Sequence, residues 1–210
     1  MRWPVDYRKL AVELVEYACG GADGRTEKDP VYRAVTEGRD DGRPHGYSSC
    51  GDLAHWMLYR LGVRLPFVNR KEHQGFTYGL NVSRLAFDGL SIHPSPSRPV
   101  KRYEPGDIGV IWSNSGGTDA HVFVILDDQQ PEALFVGEYG QPGGALHTRR
   151  VRYESGGLYI AQRRLHSVLL LNEVINAADV GGMLEPPETA SQYATRLELP
   201  TLPAPPPEAA

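Results

Sequence analysis

The sequence predicts an α+β fold in which N-terminal helices pack on an antiparallel sheet of five to six strands. Three observations predict it. In the first 62 residues apolar side chains recur at helical spacing. After Pro105 they come in short runs of β-branched and aromatic residues. Turn clusters such as SNSGGTD, DDQQPE, GQPGG and ESGG join these runs directly, with no room for the helical crossovers of a parallel sheet.

The elements follow in order. Leu10, Val12, Leu14, Val15 and Ala18 fit an opening helix that Cys19-Gly20-Gly21 stops. Residues 20–47, rich in Gly, Asp and Arg, read as a long loop. A second helix begins at Cys50 and ends at Leu61, with Gly62 just beyond it. Residues 63–104 have weak periodicity; 81–90 (NVSRLAFDGL) read as a short helix and 93–100 (HPSPSRPV) as a proline-stiffened connection. That length suits a lid or a docking surface. The strand runs are DIGVIW (107–112), HVFVIL (121–126), ALFVGEY (133–139), LHTRRVRY (146–153) and LYIAQRRLHSVLLL (158–171). From about Asn176 onward Pro, Ala and Glu dominate, which divides the chain into a domain over 1–175 and a tail or linker over 176–210. Such a tail could engage a protein partner.

Bulk properties exclude several classes. The chain has 210 residues, 40% hydrophobic and 23% charged, enough for one real core. A formal charge of -4 argues against binding nucleic acid by bulk electrostatics. The arginines of HTRRVRY and AQRRLH alternate with apolar residues and so read as a solvated outer strand face. Cys19 and Cys50, the two cysteines, form no disulfide framework, and no His/Cys/Asp cluster has metal-ligand spacing, so neither metal nor cofactor is expected. Asp6, Arg8, Lys9, Glu13 and Glu16 interrupt what would be the core of a signal peptide, and no run is long enough to span a membrane. The expectation is cytoplasmic synthesis, with any release by lysis, virion or a dedicated secretion system.

Cys50 is the residue of most chemical interest. Ser49 and Asp52 fit a capping box, making Cys50 the first helical residue, where the helix dipole favours a thiolate. It shares a stripe with Leu53, Ala54, Met57, Leu58 and Leu61, the face that packs on the sheet. A buried structural cysteine fits the same pattern. Cys19, at a helix C-terminus, reads as structural.

A nucleophilic thiol needs a base and the base an orienting group. Of seven histidines, His121 alone opens a strand directly after a glycine-containing turn. If 121–126 and 133–138 pair symmetrically around DDQQPE, His121 lies opposite Glu138, with Cβ atoms about 4.5–5.5 Å apart. A bulge would shift the partner to Tyr139 or Gln141, and Glu138 would otherwise be a solvated strand-end charge. The Cys50 backbone N–H is the natural oxyanion donor. Tyr47 could add its hydroxyl or wall the cleft.

With these residues in place, the chain resembles the papain-like cell-wall hydrolases of the NlpC and CHAP families. The resemblance rests on Cys50 opening AHWMLYRLG, on EPGDIGVIW (104–112) with its PGD strand entry, and on HVFVIL followed by VGEYG, in that order. It covers about residues 5–165. It implies a papain-like fold, a Cys50–His121–Glu138 triad and cleavage of amides in peptidoglycan stem peptides, by an endopeptidase or amidase of a phage lysin, virion or antibacterial effector. Asp107 is a turn and strand-entry residue in this reading, and Gln141 is the nearest amide after Glu138. The alternative is an inactive binding or assembly module on the same fold.

Overall fold

The computed structural model describes residues 4–37, 50–64, 90–92, 102–111, 121–130, 132–140, 144–154, 157–160 and 163–198. Within them lie the helices α1 (Tyr7–Cys19), α2 (Pro30–Glu37) and α3 (Asp52–Arg60), then the strands β1 (Ser91–Ile92), β2 (Ile108–Ile111), β3 (His121–Gln129), β4 (Ala133–Gly140), β5 (Ala145–Glu154), β6 (Gly157–Ile160) and β7 (Arg163–Leu169), and finally α4 (Leu171–Val180) and α5 (Ala190–Glu198). The protein is α+β with an antiparallel sheet. The helix expected over 81–90 and the connection over 93–100 lie outside the described residues.

Five strands in the order β7-β2-β3-β4-β5 make the main sheet, and β1 extends it beside β7. Short β6 pairs with both β5 and β7, through two residue pairs each, so the sheet curls back on itself. Its outer face, through Ile108, Val110, Val122, Val124 and Leu146, shares one core with Leu10, Leu14 and Val15 of α1 and Leu53 and Met57 of α3. Inside the curl, Ile111, Phe123, Ile125, Leu134, Val136, Val151, Leu165 and Val168 form a second core. Both faces of β3 are therefore buried, which is why HVFVIL is apolar throughout rather than alternating.

Local chemistry sets the helix ends. Asp6 caps α1, accepting the Arg8 and Lys9 N–H groups at 3.1 Å each, and Gly20 closes it in the left-handed region. Residues 20–47 are not all loop. Asp29 accepts the Val31 N–H at 2.7 Å, Pro30 occupies the first helical position where no N–H is needed, and α2 then buries Val31 and Val35. Helix α3 ends as expected: Gly62 N–H donates to Tyr59 O and Val63 N–H to Leu58 O, a Schellman closure. Gly62 has φ +90, and a Cβ there would lie 2.0 Å from the Glu185 carbonyl oxygen.

Two expectations fail at the C-terminal end. The run 158–171 is not one strand but β6, β7 and the first turn of α4. The boundary at 175/176 cuts through α4, whose Leu171, Val174, Ile175 and Ala178 are all buried. Beyond it, Glu185 N–H bonds to Gly62 O and Glu188 N–H to Arg60 O. Tyr193 of α5 is fully buried, edge-on to Trp56 at 5.1 Å and to Tyr17 at 6.2 Å. Residues 176–198 thus pack on their own chain, through scattered apolar anchors that a Pro- and Glu-rich composition hides. No helix among the described residues is long and apolar enough to cross a membrane.

Replacing Tyr193 with alanine should cost about 3–5 kcal/mol of stability, the usual range for deleting a buried aromatic ring. Urea unfolding reads this as a lower midpoint at unchanged slope; a midpoint equal to wild type would mean that 176–198 is a separate tail.

Candidate functional site

The site is built on the β3–β4 hairpin. Near its turn the partners are Gln129↔Ala133, Asp128↔Leu134 and Asp127↔Phe135. The register then shifts by one residue at Leu126, giving Ile125↔Val136, Val124↔Gly137 and Phe123↔Glu138. A one-residue shift moves every following side chain to the other face of the sheet. Carried on unshifted, the turn register would set Glu138 opposite Val124, on the face away from His121. With the bulge, Glu138 lies opposite Phe123 and shares a face with His121.

The expected juxtaposition is therefore present, but in a different register. Glu138 sits diagonally from His121 rather than opposite it, and Glu138 Oε2 is 2.6 Å from His121 Nε2. A diagonal pair is within reach of a long side chain such as glutamate. Glu138 is only 2% exposed, so it is no solvated strand-end charge. Burial alone would raise its pKa, but the His121 hydrogen bond and charge, with Arg149, outweigh burial and lower it.

The bulge is held from β2. Gly106 N–H donates to Ile125 O at 2.7 Å and Ile125 N–H to Asp107 O at 2.8 Å. The Asp107 carboxylate meanwhile accepts the Leu171 N–H at 2.9 Å, the Glu104 N–H at 3.1 Å and Arg8 Nη1 at 3.0 Å. Asp107 is engaged throughout in joining β2 to α1 and α4, as a strand-entry residue would be.

Cys50 reaches β3 from the helix side, in the core it shares with Val122 and Val124, whereas His121 has the parity of Phe123 and Ile125 in the second core. Pairing of β3 with β4 ends at Phe123↔Glu138, while β2 continues beside β3 to Ile111↔His121. The Cys50 thiol meets this stretch at the backbone of Val122, the residue next to His121. Cys50 is not the first residue of α3: Gly51 is the N-cap, its carbonyl accepting the His55 N–H at 3.0 Å, and Cys50 precedes it in a turn. The expected thiolate is corrected more fundamentally. Burial pushes the Cys50 thiol up to about 11, although the backbone of Val122 and of Cys50 itself pulls it down; the Asp52 and Glu138 charges add to the rise. The resting Cys50 side chain is a protonated thiol, 7% exposed. Cys19 is wholly buried at the end of α1, and burial holds it at about 12, in keeping with a structural role.

Arg149, which the sequence reading assigned to a solvated strand face, and its neighbour His147 belong here. His147 Nε2 is 3.1 Å from Glu138 Oε1. Arg149 Nε lies 2.5 Å from the same oxygen, and its Nη2 donates to Oε2 at 3.0 Å. The signal for them was register once more: the next hairpin pairs Gly140 with Ala145, which sets His147 opposite Glu138. Arg150, the next residue after Arg149, points outward to Glu132 as expected. Tyr47 and Gln141, the other cleft candidates, lie outside the described residues, as do His45, His73 and His93.

In this arrangement an ionised Glu138 accepts the proton on His121 Nε2, which fixes the tautomer and leaves Nδ1 as the basic nitrogen. The site thus holds a histidine base backed by a buried carboxylate, one residue along β3 from the Val122 backbone that the Cys50 thiol meets. Comparison of the chain with protein-family models, with curated proteins and with solved structures gives no match.

Two outcomes are expected. Alkylation of Cys50 by iodoacetamide should decline steadily as pH falls below neutrality, with no plateau in acid, and Cys19 should react more slowly throughout. Rapid labelling of Cys50 at pH 5 would mean a preformed thiolate. For Glu138, the folded pKa lies below the ordinary 4.5, so its stabilisation is present above that pH and is lost as pH falls through the folded value. Glu138→Gln should flatten the acid limb of a plot of Tm against pH.

Proposed function

We propose that the protein is a cysteine hydrolase of amide bonds with a papain-like fold, acting through Cys50, His121 and Glu138. The observation that carries this reading is the 2.6 Å bond between His121 and buried Glu138, made beside the strand segment on which the Cys50 thiol rests. The substrate class follows from the resemblance to NlpC and CHAP hydrolases: peptide bonds or amides of peptidoglycan stem peptides, delivered as a phage lysin, a virion-associated hydrolase or an antibacterial effector.

A protonated thiol favours general-base activation over a standing ion pair. His121 Nδ1 takes the Cys50 proton as sulfur attacks the substrate carbonyl carbon. The carbonyl oxygen becomes an oxyanion, for which the Cys50 N–H is the first donor. Glu138 stabilises the imidazolium. As the tetrahedral intermediate collapses, the C–N bond breaks and the imidazolium gives its proton to the leaving amine. Nδ1 then deprotonates a water that attacks the thioester, releasing the carboxylic acid and returning the proton to sulfur. The cycle balances with water as the only co-reactant.

The burial of the thiol favours one second reading, a binding module in which Cys50 is a core residue. Mass spectrometry of muropeptides separates the two. Cys50→Ala and His121→Ala should each lower product release by at least about 10³-fold while far-UV circular dichroism stays native. Glu138→Gln should cost about 10²–10⁴-fold. Equal product from wild type and a folded Cys50→Ala variant would leave the binding module.

A further inference from the structure

The carboxylate of Glu138 has more basic partners than a triad needs. Its Oε2 serves His121 and receives Arg149 Nη2, while Oε1 is shared by Arg149 Nε and His147 Nε2. His147 is itself fixed, its Nδ1 lying 3.3 Å from the Ala145 carbonyl oxygen. Both groups project from β5 toward a carboxylate that is almost fully buried. We propose that Arg149 and His147 are positioning residues of the site, which keep Glu138 ionised and turned toward His121 in both protonation states of that histidine.

The need for them follows from the reaction, and the inference rests on the hydrolase reading. His121 alternates between neutral and charged forms. While it is charged, the imidazolium balances Glu138; while it is neutral, a buried carboxylate with no other counter-ion would tend to take up a proton. A protonated Glu138 would lose its pull on the Nε2 proton and release the tautomer in which Nδ1 is the base. Arg149 supplies a charge that does not titrate, and its Nη2 hydrogen bond anchors Oε2 on the side away from the His121 proton. His147 covers the remaining side of Oε1 and stops the carboxylate rotating away from His121. Among the described residues, the charged and titratable groups around the carboxylate are His121 on β3, His147 and Arg149 on β5, Cys50 before α3 and Cys19 at the end of α1. Arg149 alone among them carries a charge that pH does not change.

The test reads Cys50 alkylation by iodoacetamide from pH 4 to 9 in the full chain, alongside muropeptide release. Without Arg149, Glu138 should protonate at higher pH, so Arg149→Gln should move the acid limb of Cys50 reactivity up by about one pH unit. Arg149→Lys, which keeps the charge, should restore most of that shift, and His147→Gln should move the limb in the same direction by less. A folded Arg149→Gln variant with the wild-type limb would overturn the proposal. If Arg149→Gln does not fold, Arg149→Lys and His147→Gln decide: wild-type limbs in both overturn it, and an upward shift in His147→Gln supports it. Because alkylation needs no amide substrate, a chain that cleaves no muropeptide but shows these shifts would sink the hydrolase reading and leave the positioning roles intact.

Discussion

A register shift of one residue at Leu126 governs everything the site can do. The hairpin turn and the hairpin mouth require opposite parities. At the turn, Asp128 must face inward, where its carboxylate accepts the Tyr103 N–H at 2.6 Å. At the mouth, Glu138 must face the same way as His121. A regular ladder cannot satisfy both, because side chains alternate with a period of two. The bulge reconciles them by absorbing one residue where Leu126 can pack against the helix layer. The sheet thereby buries an acid at each end of one strand pair.

The bulge is secured by the strand entry at Pro105-Gly106-Asp107. Two backbone hydrogen bonds clamp Ile125, and the Asp107 side chain ties the same point to the N-terminus of α4 and to Arg8 of α1. Gly106 suits this junction because its φ of +86 strains any residue with a side chain, and a Cβ there would also crowd Leu171 Cδ2 at 2.5 Å and Ala11 Cβ at 3.0 Å. One short motif thus links the β3–β4 hairpin to α1 and α4. Its contribution is geometric, and the Asp107 carboxylate is fully engaged in that junction.

Much of this was legible in the sequence. Apolar periodicity found α1 and α3, Gly20 and Gly62 marked their ends, and alternating turn clusters found the strands from β2 to β5. The His121–Glu138 contact was legible for a partly mistaken reason: the symmetric register was off by two residues, and an even error preserves the face. The bulge itself left no distinctive residue, since Leu126 is one more apolar side chain in an apolar run. Helix α2 was announced by Asp29-Pro30 and buried Val31 and Val35, but surrounding Gly, Asp and Arg masked a helix of only 8 residues. The thiol was misjudged because helix position speaks for the dipole alone. Desolvation depends on core packing by residues distant in sequence, and here it is the larger effect.

The strap formed by residues 183–193 has a consequence for when the site comes into being. It covers the far side of the helix that follows Cys50, through contacts such as Arg60 with Glu188, 128 residues apart in the chain. Contacts this distant close late, because they wait on the ordering of everything between them. A ribosome making this protein releases Cys50, His121 and Glu138 well before the segment that clasps the helix after Cys50. The emerging chain therefore holds these three residues without the final support of α3. Chain growth itself delays completion of the site until the strap has been made.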